Sequence, residues 1–162
     1  MTQHTLSVLV ENKPGVLSRV AGMFTRRGYN IDSLAVSPTE DEHRSRMTIT
    51  VDASRFPVEQ ITKQLDKLIN VIKVRDLDPE NMVARELGLF KVSTAKAPRA
   101  EVLALVDIFK GEIVDVTSES MIIQATGTTG ELENLEELLR GNGLVEMVRT
   151  GVVALGRGGK TT

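Results

Sequence analysis

One order of patterns runs twice along this chain and limits what it can fold into. Residues 5–11 alternate apolar and polar, as a half-buried strand does. Val16, Leu17, Val20, Ala21 and Phe24 then recur on one helical face, and Gly28 is placed to stop that helix. Residues 30–36 read as a strand, 37–42 as a turn, and 47–51 as the hairpin partner. A second helix starts near Pro57 and carries Ile61, Leu65, Leu68 and Ile69, and residues 71–77 supply a last strand. After Asp78-Pro79-Glu80-Asn81 the order repeats. Residues 87–93 are strand-like, and Val102, Leu103, Val106 and Phe109 suit a helix. Residues 111–116 and 121–125 form a hairpin, and Leu132, Leu135, Leu138 and Leu139 mark another helix. Thr128 and Glu131 offer a capping box for that helix, and residues 145–155 read as the closing strand. The fold class is therefore α+β, with two ferredoxin-like βαββαβ domains over residues 1–78 and 79–162, the second ending in a short flexible tail.

Domains this small bury only about 60% of their unfolded surface. Oligomerisation, or packing of one half on the other, would relieve that weakness. Apolar residues make up 41% of the chain but aromatics only 3%, so Val, Ile and Leu must fill the cores. The net charge is −2 with no dense run of Lys or Arg, which argues against nucleic-acid binding through a positive stripe. There is no cysteine, so disulfides, thiolate metal sites and cysteine nucleophiles are excluded together. No leader pattern and no apolar run near ~20 residues is seen, so a cytoplasmic protein without membrane contact is expected.

Catalytic chemistry finds little support. His4 and His43 are the only histidines, lack partners at metal-ligand spacing, and read as exposed polar residues. Glu40-Asp41-Glu42 reads as a solvated turn rather than a cation site. Gly158-Gly159-Lys160-Thr161 resembles the end of a phosphate-binding loop, but Ala154 stands where the leading glycine is required. Neither G-x-S-x-G nor H-E-x-x-H occurs, so no catalytic residue and no metal ligand is assigned.

The junction Glu11-Asn12-Lys13-Pro14-Gly15 is more informative. Pro14 suits the first turn of a helix, and Gly15 allows another group close to the backbone. The N–H groups from Gly15 onward lack helical partners and point outward at the positive helix end, a seat for a small carboxylate. Asn12 offers a donor and an acceptor beside it. Equally, Asn12 would serve as a cap or a turn-former. A second asparagine, Asn30, opens the second strand, where asparagine is uncommon. In a split βαβ unit the first two strands are parallel, so Asn12 and Asn30 lie at opposite ends, roughly 20 Å apart by the length of the intervening helix. One small ligand touches both only if two chains pair antiparallel along their second strands.

The segments LSVLVENKPGVLSRVAGMFTRRGYNIDSL, SRMTITV and IFKGEIVDVT, together with RTGVVALGRG near the end, resemble the small regulatory subunit of acetolactate synthase, also called acetohydroxyacid synthase. The resemblance spans nearly the whole chain and implies an ACT domain, a ligand-sensing ferredoxin-like module, in residues 1–78. It further implies activation of a separate large catalytic subunit and feedback inhibition by a branched-chain amino acid, chiefly valine, in valine and isoleucine biosynthesis. Thiamine diphosphate, Mg and FAD would belong to that catalytic partner, with no cofactor in this chain. By the same resemblance the effector pocket comprises Asn12, Gly15, Val16 and Leu17, opposed by Asn30 and Ile31, in a homodimer formed through the ACT domains. Two other classes remain open from the residues alone. A stand-alone enzyme lacks a catalytic constellation, and an amino-acid-sensing transcription regulator lacks a helix-turn-helix or basic helix in the second half.

Overall fold

A computed structural model describes residues 3–95 and 98–162. The chain divides into two compact units, Met1–Ala84 with Val152–Thr162, and Arg85–Gly151. The first contains β1 (Gln3–Glu11), α1 (Val16–Arg27), β2 (Asn30–Pro38), β3 (Arg44–Asp52), α2 (Val58–Asp66) and β4 (Val71–Leu77). Its sheet has the order β2-β3-β1-β4, with β3 antiparallel to both β1 and β2. Hence β1 and β2 are parallel and need a crossover, which α1 provides. A short 3₁₀ turn at Pro79–Asn81 leads into β5 (Met82–Ser93).

The second unit repeats the plan with most of β5, then α3 (Arg99–Ile108), β6 (Glu112–Val116), β7 (Ser120–Gly127), α4 (Thr129–Arg140) and β8 (Leu144–Arg149). Its strand order is β6-β7-β5-β8. Both units are thus βαββαβ, as the patterning implies. Each core follows from the periodicities. Leu6, Val8 and Val10 of β1 meet Met47, Ile49 and Val51 of β3 beneath Val16, Val20, Met23, Phe24, Ile61 and Leu65 of the helices. In the second unit Phe90 and Val92 meet Met121, Ile123 and Ala125 beneath Val102, Val106, Leu132, Leu135 and Leu139. The Thr128 hydroxyl accepts from the Glu131 N–H at 3.3 Å, capping α4.

Several expectations are corrected. β1 is not half-buried: Ser7 is 1% and Leu9 6% exposed, on the face opposite Leu6 and Val8. That face lies under the end of the chain, where β9 (Val153–Gly156) packs beside β1 and Arg46 donates to the Thr162 carbonyl. Residues 145–155 are not one strand but two, β8 and β9. Gly151 adopts φ 82° between them and turns the backbone, and β9 belongs to the first unit while β8 closes the second. The last residues, read from sequence as a flexible tail, have their carbonyls hydrogen-bonded to side chains of the first sheet. Ile69 lies past the end of α2 and is 84% exposed, while Leu103 and Leu138 sit on the outer faces of their helices. Pro14 precedes the cap rather than opening α1, because Gly15 takes the cap position with φ 84°.

Candidate functional site

The turn after β1 is held by backbone and side chains from distant parts of the first unit. The Asn12 N–H donates to the His43 carbonyl at 2.8 Å. Its side-chain amide donates to the Glu42 carbonyl at 2.9 Å. The turn is thereby tied to the loop between β2 and β3. Glu11 receives an ion pair from Lys13 at 2.8 Å, and its carboxyl is held below the usual glutamate range. The Lys13 hydrogen bond is the main cause, its charge adds to it, burial opposes, and the Asn70 amide contributes last. Asn70 also accepts from Arg19 of α1 at 2.6 Å. Asn70 and Arg19 were not singled out from sequence. Asn70 reaches Glu11, and Arg19 reaches Asn70, only because β4 starts beside the end of β1, and no local motif encodes these contacts.

Gly15 caps α1 in the left-handed region with φ 84° and ψ −8°, and no side chain caps this end. Among the described residues the N–H groups of Leu17 and Ser18 have no acceptor. A Cβ at Gly15 would meet nothing within 4 Å, so the space above the helix end is open. Val16 is buried in the core at 4% exposure, whereas Leu17 is 43% exposed beside the open end. The arrangement offers unsatisfied backbone donors, positive helix polarity and an apolar side chain together. Such a group can receive a carboxylate attached to a small apolar body.

Asn30 and Ile31 stand at the other end of β2. Asn30 is exposed and donates to the Asp32 carboxylate at 3.3 Å, while Ile31 packs partly against the core. A cleft of about 320 Å³ beside them is lined by Gly28, Tyr29, Asn30, Asp52, Ser54, Arg55 and Phe56. Within this unit the two asparagines are far apart. Glu11 pairs with Arg44 at the start of β3 and Asn30 with Asp52 at its end. The intervening length is roughly 27 Å at ~3.4 Å per residue. β2 is an edge strand of the sheet, as is β4. The structure therefore brings Asn12, Gly15, Val16 and Leu17 together and sets Asn30 and Ile31 apart from them.

His4, read from sequence as an exposed polar residue, is partly exposed and lies 3.0 Å from the Asp76 carboxylate, because β4 runs beside β1. His43 is exposed and 3.7 Å from Glu42. The Asp41 carboxylate accepts from the His43 N–H at 2.9 Å and so shapes its own turn. Among the described residues no group of His, Asp and Glu is arranged to hold a metal ion. No helix among them is long and apolar enough to cross a membrane.

A βαββαβ unit with an open, glycine-capped helix end beside an asparagine turn defines an ACT-type module, here followed by a second module of the same plan. The family model described as AHAS small subunit-like ACT domain matches residues 6–73, and that described as small subunit of acetolactate synthase matches residues 85–158. The chain belongs to the acetolactate synthase small subunit family. It is 54% identical over 155 residues to the acetolactate synthase small subunit of Mycobacterium bovis, covering 96% of this chain and 92% of that one. The probable acetolactate synthase small subunit of Archaeoglobus fulgidus is 49% identical over 158 residues, 98% of this chain and 99% of that one. The crystal structure of the small subunit from Thermotoga maritima superposes with a TM-score of 0.90 at 42% identity, covering 99% of this chain and 100% of that chain.

Proposed function

We propose that this chain is the non-catalytic regulatory subunit of an acetolactate synthase, activating a large catalytic subunit and making it sensitive to a branched-chain amino acid, chiefly valine. The catalytic partner would carry thiamine diphosphate, Mg and FAD, and the complex would work in the cytoplasm in branched-chain amino-acid biosynthesis. The observation that carries the effector reading is the open amide pair of Leu17 and Ser18 beyond Gly15, with Asn12 beside it. In this reading the amides receive the effector carboxylate, and Leu17 covers its branched side chain. Asn30 and Ile31 of a second chain complete the pocket. The edge position of β2 supports that arrangement: antiparallel pairing of two β2 edges carries Asn30 of one chain towards the Asn12 end of the other.

One methylene is worth only ~1–3 kcal/mol in such pockets, so isoleucine or leucine could substitute for valine. The test is reconstitution with the large subunit. The chain alone should form no acetolactate, its addition should raise turnover several-fold, and valine should lower the turnover of the complex. Mixed dimers test the shared pocket. A dimer of one Asn12→Ala and one Asn30→Ala chain holds one intact and one doubly damaged pocket. High-affinity valine sites should return in exchanged mixtures, at most one per mixed dimer. Verified exchange without their return would exclude a pocket shared between chains.

A further inference from the structure

The turn from α1 into β2 and the turn from β3 into α2 meet at one end of the first sheet, because Asn30 pairs with Asp52. Tyr29 from the first turn and Asp52, Ser54, Arg55 and Phe56 from the second wall a cleft of about 320 Å³. Its apolar wall is the pair Tyr29 and Phe56, packed edge to face with 5.1 Å between ring centroids, and Tyr29 also meets Phe24 edge-on at 5.8 Å. Tyr29 is 7% exposed, and its buried hydroxyl has no hydrogen-bond partner. Buried polar atoms are nearly always paired, so this one stands out as a donor with an open place. Two opposite charges stand on the same cleft. The Arg55 guanidinium lies over the Phe56 ring, 5.8 Å from its centroid, and among the described residues no carboxylate pairs with it. The Asp52 carboxylate accepts from the Ser54 N–H at 2.9 Å, which fixes the turn that carries Arg55.

We propose that this cleft binds a free α-amino acid with an apolar side chain. The carboxylate sits between the Arg55 guanidinium and the Tyr29 hydroxyl, the ammonium at Asp52, and the side chain on the Phe56 ring. A ligand of one charge leaves the opposite charge of the cleft unanswered, whereas a zwitterion answers both. The volume stands at the low end of the roughly 300–1,000 Å³ of small-molecule sites, which suits a ligand of this size. The cleft is not the proposed effector seat. Arg44 and Asp52 mark the two ends of β3, and the Asn12 turn that leads to Gly15 is tied to the Arg44 end. Asn30 lines the cleft as well, but none of the three contacts uses it. The site therefore does not depend on the effector reading.

Calorimetry of the full chain carrying Gly15→Asp, which blocks the effector seat, tests the proposal with L-leucine in one arm and L-phenylalanine in the other. At least one should bind saturably. The matching compounds of a single charge should bind several-fold more weakly: isoamylamine and isocaproate for leucine, phenethylamine and hydrocinnamate for phenylalanine. Arg55→Gln, at an exposed position, should weaken binding about threefold, the scale of one exposed ion pair. Tyr29→Phe keeps the ring and removes the hydroxyl. It should weaken binding roughly tenfold or more, as a lost hydrogen bond to a charged group does, and should raise the denaturation midpoint of the free chain. If circular dichroism shows that Gly15→Asp does not fold, the same titrations on the native chain, with Tyr29→Phe as control, replace it. Failure of both amino acids to bind refutes the site. Single-charge compounds that bind as tightly as the amino acids refute the zwitterion seat. Binding indifferent to both Arg55→Gln and Tyr29→Phe puts the ligand elsewhere and refutes the site equally.

Discussion

The Asn12 side-chain amide lies 2.9 Å from the Glu42 carbonyl, so the residue beside the open helix end also anchors the loop between β2 and β3. This bond gives Asn12 a structural task in addition to the ligand contact proposed for it. Asn12→Ala should therefore do two separable things. It should lower stability by about 1 kcal/mol for the lost hydrogen bond, and weaken valine binding roughly 10- to 150-fold if a bond to a charged group is lost as well. Denaturant titration reads the first and calorimetry the second. A variant that loses stability but keeps its valine affinity would leave Asn12 with the turn alone.

Gly15 allows a sharper separation. A Cβ there has room, so the cost of substitution is backbone strain, about 1–2 kcal/mol for a non-glycine residue in the left-handed region. Gly15→Ala carries that strain and no charge, and should retain measurable valine binding. Gly15→Asp carries the same strain and sets a carboxylate beside the Leu17 and Ser18 amides, where it excludes a second carboxylate. Valine binding should vanish while activation of the catalytic subunit persists. Equal loss in the alanine and aspartate variants would locate the effect in the backbone and not in the charge.

In the second unit the Glu86 carboxylate is 3% exposed and lies 2.8 Å from the Arg149 guanidinium, with the Thr129 hydroxyl donating to it at 2.6 Å. Glu86 raises the pKa of Arg149, chiefly through their hydrogen bond, against the opposing effect of burial. Glu86→Ala leaves a half-buried guanidinium with Glu136, 3.7 Å away, and the charge of Glu133, and should cost about 3 kcal/mol or more. Replacing both partners by Leu and Met should cost much less, since an apolar pair of similar size removes the desolvation penalty as well. Chemical denaturation of the two variants makes the comparison. Valine binding measured on either, if folded, should be unchanged.

Acid should weaken the first unit through Glu11 and Asp78. Both carboxyls titrate below their usual ranges, Glu11 through Lys13 and Asp78 through the Asn81 side chain and then the Glu80 N–H. A lowered folded-state pKa means that the ionised form favours folding. The contribution is complete above the ordinary carboxylate range and disappears as pH falls below that range through the lowered folded value. Glu11→Gln should therefore be slightly less stable than the native chain at pH 7 and match it at acid pH, once the native carboxyl is protonated. Parallel stability curves for the two across that interval would show that the Lys13 pair contributes nothing.

The repeated βαββαβ order was legible in sequence because strand and helix periods of 2 and 3.6 residues are local properties. Gly28 could be read as a helix stop for the same reason. It takes φ 69°, and the following Tyr29 N–H returns to the Phe24 carbonyl, as the end of a helix requires. The asparagine turn and the open end of α1 were visible too, since Gly15 and the lack of a capping side chain lie within a few residues of each other. Local pattern also set β1 and β2 parallel, and with that the separation of Asn12 from Asn30.

Only the tertiary structure decided which partners those residues meet. Asn12 finds the Glu42 carbonyl, Glu11 finds Asn70, and His4 finds Asp76, each across a long stretch of chain that alternation does not encode. The second face of β1 reads as solvent-facing from its Thr5 and Ser7, yet residues near the end of the chain cover it and hold Arg46, Lys73 and Arg75 by their carbonyls. Residues 145–155 look like one strand because their apolar run is continuous. They divide at Gly151 because β8 pairs within the second unit and β9 belongs to the first. A side-chain period specifies that a face is apolar, whereas the element that covers it is selected by long-range packing, and that selection exists only in the folded chain.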